Sequence, residues 1–175
     1  MLSLSQTAGY AILALSCLDG ERWVLAQELA ERTAVPKPYL SKILHSLARA
    51  QVILAKRGYR GGFRLGRPAD QISLLDIVEA VDGTAWIGRC LLGLDRCSDE
   101  RACPTHEFWK HERARIHDLL QKISLHHVAE FERERGTRLR PATSSGSARD
   151  ADPRAWSSEH DRRDRGADGG DDSAP

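Results

Sequence analysis

The chain has no run of 18 or more apolar residues, so no segment reads as a membrane-spanning helix. Its first residues, MLSLSQTAGYAILALSCLDG, carry a short apolar stretch with no Lys or Arg ahead of it. A secretory signal needs a basic start and a small-residue cleavage site, so that reading is rejected and a cytoplasmic location is expected. Among its four cysteines there is no Cys-x2-Cys pair. There is also no glycine-rich phosphate loop, no nucleophile–base pairing and no pair of acids in an apolar setting, so an enzyme is not expected. Residues 136 to 175 have Trp156 as their one aromatic and are rich in Arg, Asp, Ser, Gly, Ala and Pro, a composition that cannot bury enough apolar surface to order itself. With seven basic and eight acidic residues, that tail is of mixed charge and not a basic arm.

The absence that carries most information lies in residues 36 to 67, which contain no Asp or Glu. The same stretch holds Lys37, Lys42, Arg49, Lys56, Arg57, Arg60, Arg64 and Arg67. The net charge of the whole chain is only +1, so the positive charge is concentrated and not general. Basic charge gathered on one substructure is the footprint of nucleic-acid binding, although any single residue in it could be a solvated surface charge.

What is present is mostly helical. Residues 5 to 18 are apolar nearly all round, with Tyr10, Leu13, Ala14 and Cys17 on one stripe, and Cys17 is read as core. Residues 26 to 33 make a short amphipathic helix, Ala34-Val35-Pro36 a turn, and residues 38 to 50 a helix with Leu40, Ile43, Leu44 and Leu47 on its apolar side. Helix, helix, short turn, helix is the order of a helix-turn-helix. Val52 to Ala55 and Phe63 to Leu65 read as two strands around the basic, glycine-rich turn KRGYRGG, a wing. Residues 71 to 82 read as a further helix, with Ser73 as N-cap, Asp76 in the capping-box position and Gly83 as stop. From about Thr105 to Glu134 one long helix is expected, its stripe of Trp109, Ile116, Leu119, Leu120, Ile123, Val128 and Phe131 reading as a dimer face.

The pattern thus predicts a mainly α chain with a small β-hairpin wing. Residues 1–83 form the winged helix-turn-helix domain, 84–106 a cysteine-containing cluster-binding loop, 107–135 the dimerisation helix and 136–175 the tail. A recognition helix sets polar side chains against base edges and basic ones against phosphates. Lys37, Tyr39, Ser41, Lys42, His45 and Arg49 are the candidates on the third helix, with Arg57, Arg60 and Gly61 in the wing.

Cys90, Cys97 and Cys103 share one irregular stretch, with six residues between the first two and five between the last two, and His106 follows Cys103 by three. Free structural cysteines sit in apolar stripes; these sit among Arg, Asp, Ser and Glu. Thiolates are soft ligands for iron–sulfur clusters and zinc, and His106 can close a Cys3His set. Both spacings exceed the tight pairs usual at structural zinc, which favours a cluster without excluding zinc.

Together these residues resemble the bacterial winged-helix regulators of the IscR/NsrR family, the IscR branch most of all. The resemblance spans about residues 1 to 132 and rests on LSQTAGYAILAL, PKPYLSKILHSLARAQVILAKRGYRGGFRL, ISLLDIVEAVDG and the loop ending CPTHEFW. It implies a homodimer joined by the C-terminal helix, reading a pseudo-palindromic operator in double-stranded DNA. It also implies a [2Fe-2S] cluster held by Cys90, Cys97, Cys103 and His106, and a wing arginine at Arg57 that enters the minor groove. The NsrR-type fourth ligand, an Asp near the N-terminus of the partner subunit, is not available, because residues 1 to 18 contain no Asp, Glu or His. The first cysteine spacing is one residue longer than is typical of the IscR branch. Ser41 replaces an acidic residue that helps that branch choose its site, so operator specificity does not carry over. The expected function is a transcription regulator, a sensor-repressor or dual regulator, responding to redox, iron or nitric oxide status. The alternatives are a winged-helix DNA-binding protein with a structural zinc and no redox sensing, and a metal-stabilised dimeric adaptor for proteins, against which the acid-free stretch speaks.

Overall fold

Ser5 accepts the amide of Ala8 at 2.9 Å, and from this N-cap the chain enters α1 (Gln6–Ser16). The computed structural model describes residues 4–18, 21–58, 61–88, 90–92, 97–101 and 103–135; the tail at 136–175 lies outside the described residues. On α1 the buried residues are Ala8, Ala11 and Ala14 with Leu13 and Leu15, and the three alanines let α1 lie close against its neighbours. α2 (Ala26–Thr33) and α3 (Lys37–Arg49) are joined by a turn in which Ala34 adopts a left-handed conformation, φ 57°, and Pro36 forms the N-cap of α3. Pro38 falls in the first turn of α3, where a missing N–H breaks no helix bond.

β1 (Ile53–Lys56) and β2 (Gly62–Leu65) pair antiparallel, Ile53 opposite Leu65 and Lys56 opposite Gly62. Val24, just before α2, adds a third partner the pattern did not reveal: it exchanges two backbone bonds with Phe63, at 2.9 and 2.8 Å. α4 (Leu74–Asp82) begins with the expected capping box, the Asp76 amide donating to Ser73 Oγ at 3.0 Å and the Ser73 amide to Asp76 Oδ2 at 2.9 Å. Leu29, Leu40, Ile43, Leu44, Leu47, Ile72 and Ile77 meet in one core from which water is excluded. Burying each such side chain stabilises the fold by about 1.5–3 kcal/mol relative to exposure.

The one long helix expected over 107–135 is two helices, α5 (His106–Lys122) and α6 (Leu125–Arg135). Ile123 is extended, and the backbone at Ser124 bridges to Ser73: the Leu74 amide donates to Ile123 O and the Leu125 amide to Ile72 O, both at 2.8 Å. The helix stops because these groups pair with the segment leading into α4, which drops Leu125, 1% exposed, into the core. Part of the stripe assigned to a dimer face packs within the chain. Leu120 is buried within the chain and Ile116 packs on the same core, while Phe108, Leu119 and Phe131 stay exposed. Among the described residues, no helix is long and apolar enough to cross a membrane.

Candidate nucleic-acid interface and metal centre

α3 buries Leu40, Ile43, Leu44 and Leu47, and the remaining side faces solvent. Lys37, Ser41, His45 and Arg49 are exposed along it and Lys42 is half-buried. The Ser41 hydroxyl donates to Lys37 O at 2.8 Å, one turn back on its own helix. Tyr39, expected on the reading surface, is turned to α1 instead. Its hydroxyl lies 2.6 Å from Thr7 Oγ1 and its ring meets Tyr10 edge-on at 5.7 Å, so it fixes α3 on α1.

In the wing Arg57 is exposed, whereas Arg60 lies outside the described residues. Gly61, a candidate DNA-binding residue of the wing, is buried for a reason internal to the hairpin. A Cβ there would stand 2.3 Å from the carbonyl oxygen of Lys56, and its amide donates to Gly58 O at 2.9 Å. Trp23, beside the bridging Val24, collects two wing cations: Arg64 Cζ lies 4.8 Å and Lys56 Nζ 5.9 Å from its ring. Arg67 reaches Asp76 at 3.4 Å, so this charge, unopposed in sequence, is opposed in space.

The cysteine loop runs from α4 to the start of α5. Cys90 is buried, Cys97 and Cys103 are half-buried, and His106, the first residue of α5, is 3% exposed. Cys97 Sγ lies 3.3 Å from His106 Nδ1. The opposite ring nitrogen, Nε2, lies 2.8 Å from Asp99 Oδ1, and Lys110 Nζ donates to that same oxygen at 2.9 Å. Lys110 first, then His106, hold the Asp99 carboxyl below its ordinary range, and Asp99 in turn raises Lys110. Cys103 Sγ is 3.3 Å from Thr105 Oγ1. The Thr105 hydroxyl and amide hold the Cys103 thiol below the usual cysteine value, with a smaller contribution in the same direction from the nearby Cys90 thiol.

Of the four expected ligands, Cys97 and His106 stand in direct contact, while Cys103 is held by Thr105 and feels the Cys90 thiol only weakly. In a tetrahedral site with metal–sulfur and metal–nitrogen bonds of roughly 2.3 and 2.0–2.1 Å, neighbouring ligand atoms are about 3.6 Å apart. The Cys97–His106 separation of 3.3 Å fits that, and three soft thiols with one imidazole fit a soft metal. Among the described residues, three ligating atoms come within 4.8 Å of one another at Asp99, His106 and Glu107, not at any three of the expected four. Lys110 already places a positive charge on Asp99 in that trio, which disfavours a cation there.

Residues 4–130 match the family model Rrf2, described as an iron-dependent transcriptional regulator. The chain belongs to the Rrf2 family. It is 30% identical over 125 residues to the HTH-type transcriptional regulator IscR of Sodalis glossinidius, an alignment covering 71% of this chain and 75% of that one. The fold is that of two solved regulators. CymR (YrzC), the global cysteine regulator of B. subtilis, superposes with a TM-score of 0.61 at 22% identity over 75% of this chain and 98% of that one. T. potens IscR does so with a TM-score of 0.60 at 23% identity over 79% and 93%.

As an Rrf2 protein this chain is a DNA-binding transcriptional regulator of winged-helix fold, not an enzyme. On that frame, sequence reasoning missed Trp23, Thr105, Asp99 and Lys110. Each acts through a side chain far away in sequence or through a loop conformation, and no periodicity marks it. The one available signal was the carboxylate of Asp99 lying between two candidate ligands.

Proposed function

We propose that this Rrf2 chain is a cytoplasmic homodimer that binds a pseudo-palindromic operator and senses redox, iron or nitric oxide status through a cluster, [2Fe-2S], held by Cys90, Cys97, Cys103 and His106. The observation that carries the sensor is the 3.3 Å approach of Cys97 Sγ to His106 Nδ1, a soft thiol beside an imidazole. A single zinc ion draws four donors around one point, whereas two bridged irons take two protein donors each. Cys97 with His106 is one such pair of donors, of the kind a single iron of that centre would take. When bound, such a centre supplies a reversible one-electron change and a lability to oxidants.

The chain's own residues carry the consequence. His106 is both a ligand and the first residue of α5, so gathering the four donors fixes where α5 starts. α5 packs on α4, and α4 packs on α1 and α3, so a change at the loop reaches the recognition helix through packed elements. Phe108 and Leu119 on α5 and Phe131 on α6, large and exposed, supply apolar surface for the second subunit. Lys37, Ser41, Lys42, His45 and Arg49 face the major groove, and Arg57 the backbone or minor groove.

The test is an absorption spectrum of protein purified without oxygen, with iron, sulfide and zinc assayed on the same sample. Visible charge-transfer bands with two irons and two sulfides per chain are expected. A colourless protein with one zinc per chain would turn the loop into a structural element and leave the DNA-binding reading standing.

A further inference from the structure

The surroundings of His106 contain one group more than four ligands require. The side chain is 4% exposed and both nitrogens are engaged, Nδ1 toward Cys97 at 3.3 Å and Nε2 toward Asp99 at 2.8 Å. A carboxylate only accepts, so Nε2 carries the proton and donates it, which leaves the lone pair of the neutral ring on Nδ1, on the side of Cys97. Asp99 opens the short helical turn Asp99–Arg101 between Cys97 and Cys103. Its side chain is 74% exposed, so partners and not burial set its direction. Lys110, one turn along α5 from His106, supplies the second partner at 2.9 Å on the same oxygen. An exposed ion pair adds little to stability, so the stability of the fold gives little reason for this arrangement. A ligating histidine, in contrast, needs a group on its far nitrogen to fix its tautomer and ring angle.

We propose that Asp99 is a positioning residue of the metal centre: its carboxylate, steadied by Lys110, holds His106 in the tautomer that offers Nδ1 to the metal beside Cys97. The inference rests on the reading of Cys90, Cys97, Cys103 and His106 as the ligand set. It gives the loop a division of labour, in which Asp99 orients one ligand and does not itself bind the metal.

The full chain is compared with Asp99→Ala, Asp99→Asn and Asp99→Glu. In the metal-free proteins, nitrogen-15 NMR of the histidine side chains, with His106 assigned by its loss in His106→Ala, reads the tautomer directly. After reconstitution with ferrous iron and sulfide, the loss of visible absorbance to a chelator reads retention. Wild type is expected to hold the proton on Nε2, and Asp99→Ala to mix the tautomers and release the cluster about 10–100-fold more readily. Asp99→Asn, whose amide oxygen accepts the same bond, is expected to keep the tautomer, and Asp99→Glu to recover much of the retention. A wild type loaded with cluster and matched by Asp99→Ala in both tautomer and retention overturns the inference alone. A wild type that takes up neither iron nor sulfide overturns the ligand reading, and the inference with it.

Discussion

The winged-helix body and the cysteine loop that follows it are held by different forces. In the body, Leu15, Leu29, Leu40, Leu44, Leu47 and Ile77 leave no surface to water, and its turns are closed by caps and backbone pairs. In the loop, Leu92 is more than half exposed, Cys97 and Cys103 are half-exposed, and the contacts are sulfur to imidazole, sulfur to hydroxyl and imidazole to carboxylate. Apolar burial is indifferent to a bound ion, whereas the described side-chain contacts of Cys97, Cys103 and His106 involve atoms that could ligate a metal or that orient such an atom. On the proposed sensing role, a regulator gains from this separation: the winged-helix body keeps its shape while the loop rests on weak local contacts.

The sharpest way to break the contrast is to cut each region in turn. Leu44→Ala removes a fully buried side chain from α3 and is expected to cost about 2–5 kcal/mol in denaturant unfolding, with DNA binding falling as the folded fraction falls. Ser73→Ala removes the cap of α4 and is expected to cost about 1 kcal/mol by the same measurement. If that loss were as large as that of Leu44→Ala, the bridge between Ser73 and Ser124 would be holding more of the fold than its two backbone bonds suggest.

Smaller effects separate reading from folding. Arg49→Ala, exposed at the end of α3, is expected to leave the unfolding midpoint unchanged and to reduce the slope of log affinity against log salt by about one, as loss of a single phosphate contact requires. Smallest of all is the effect of Cys97→Ser on the metal-free chain, expected to lie within about 0.5 kcal/mol of wild type because the side chain is only half-buried. The same variant is expected to bind no iron. A metal-free Cys97→Ser protein destabilised as strongly as Leu44→Ala would erase the distinction between the two regions.

The sequence by itself determined the elements that depend on neighbours along the chain. The 3.6-residue stripe set α3 and its buried leucines, Ser73 with Asp76 and Gly83 bounded α4, and the glycine-rich turn bounded the wing. It also put Cys97 and His106 within one loop, and the structure brings these two into contact. Only the tertiary structure decided that the helix from His106 breaks at Ser124, since apolar spacing runs through the break and the cause is backbone pairing with residues 72 to 74. Tertiary contacts also turned Tyr39 from the DNA side to Thr7, reserved Gly61 for the hairpin and set Trp23 under two wing cations. They joined Lys110, Asp99, His106 and Cys97 into one chain of contacts. Periodicity and caps are local and can be read in order, whereas these contacts depend on where separate segments come to lie once the core has closed.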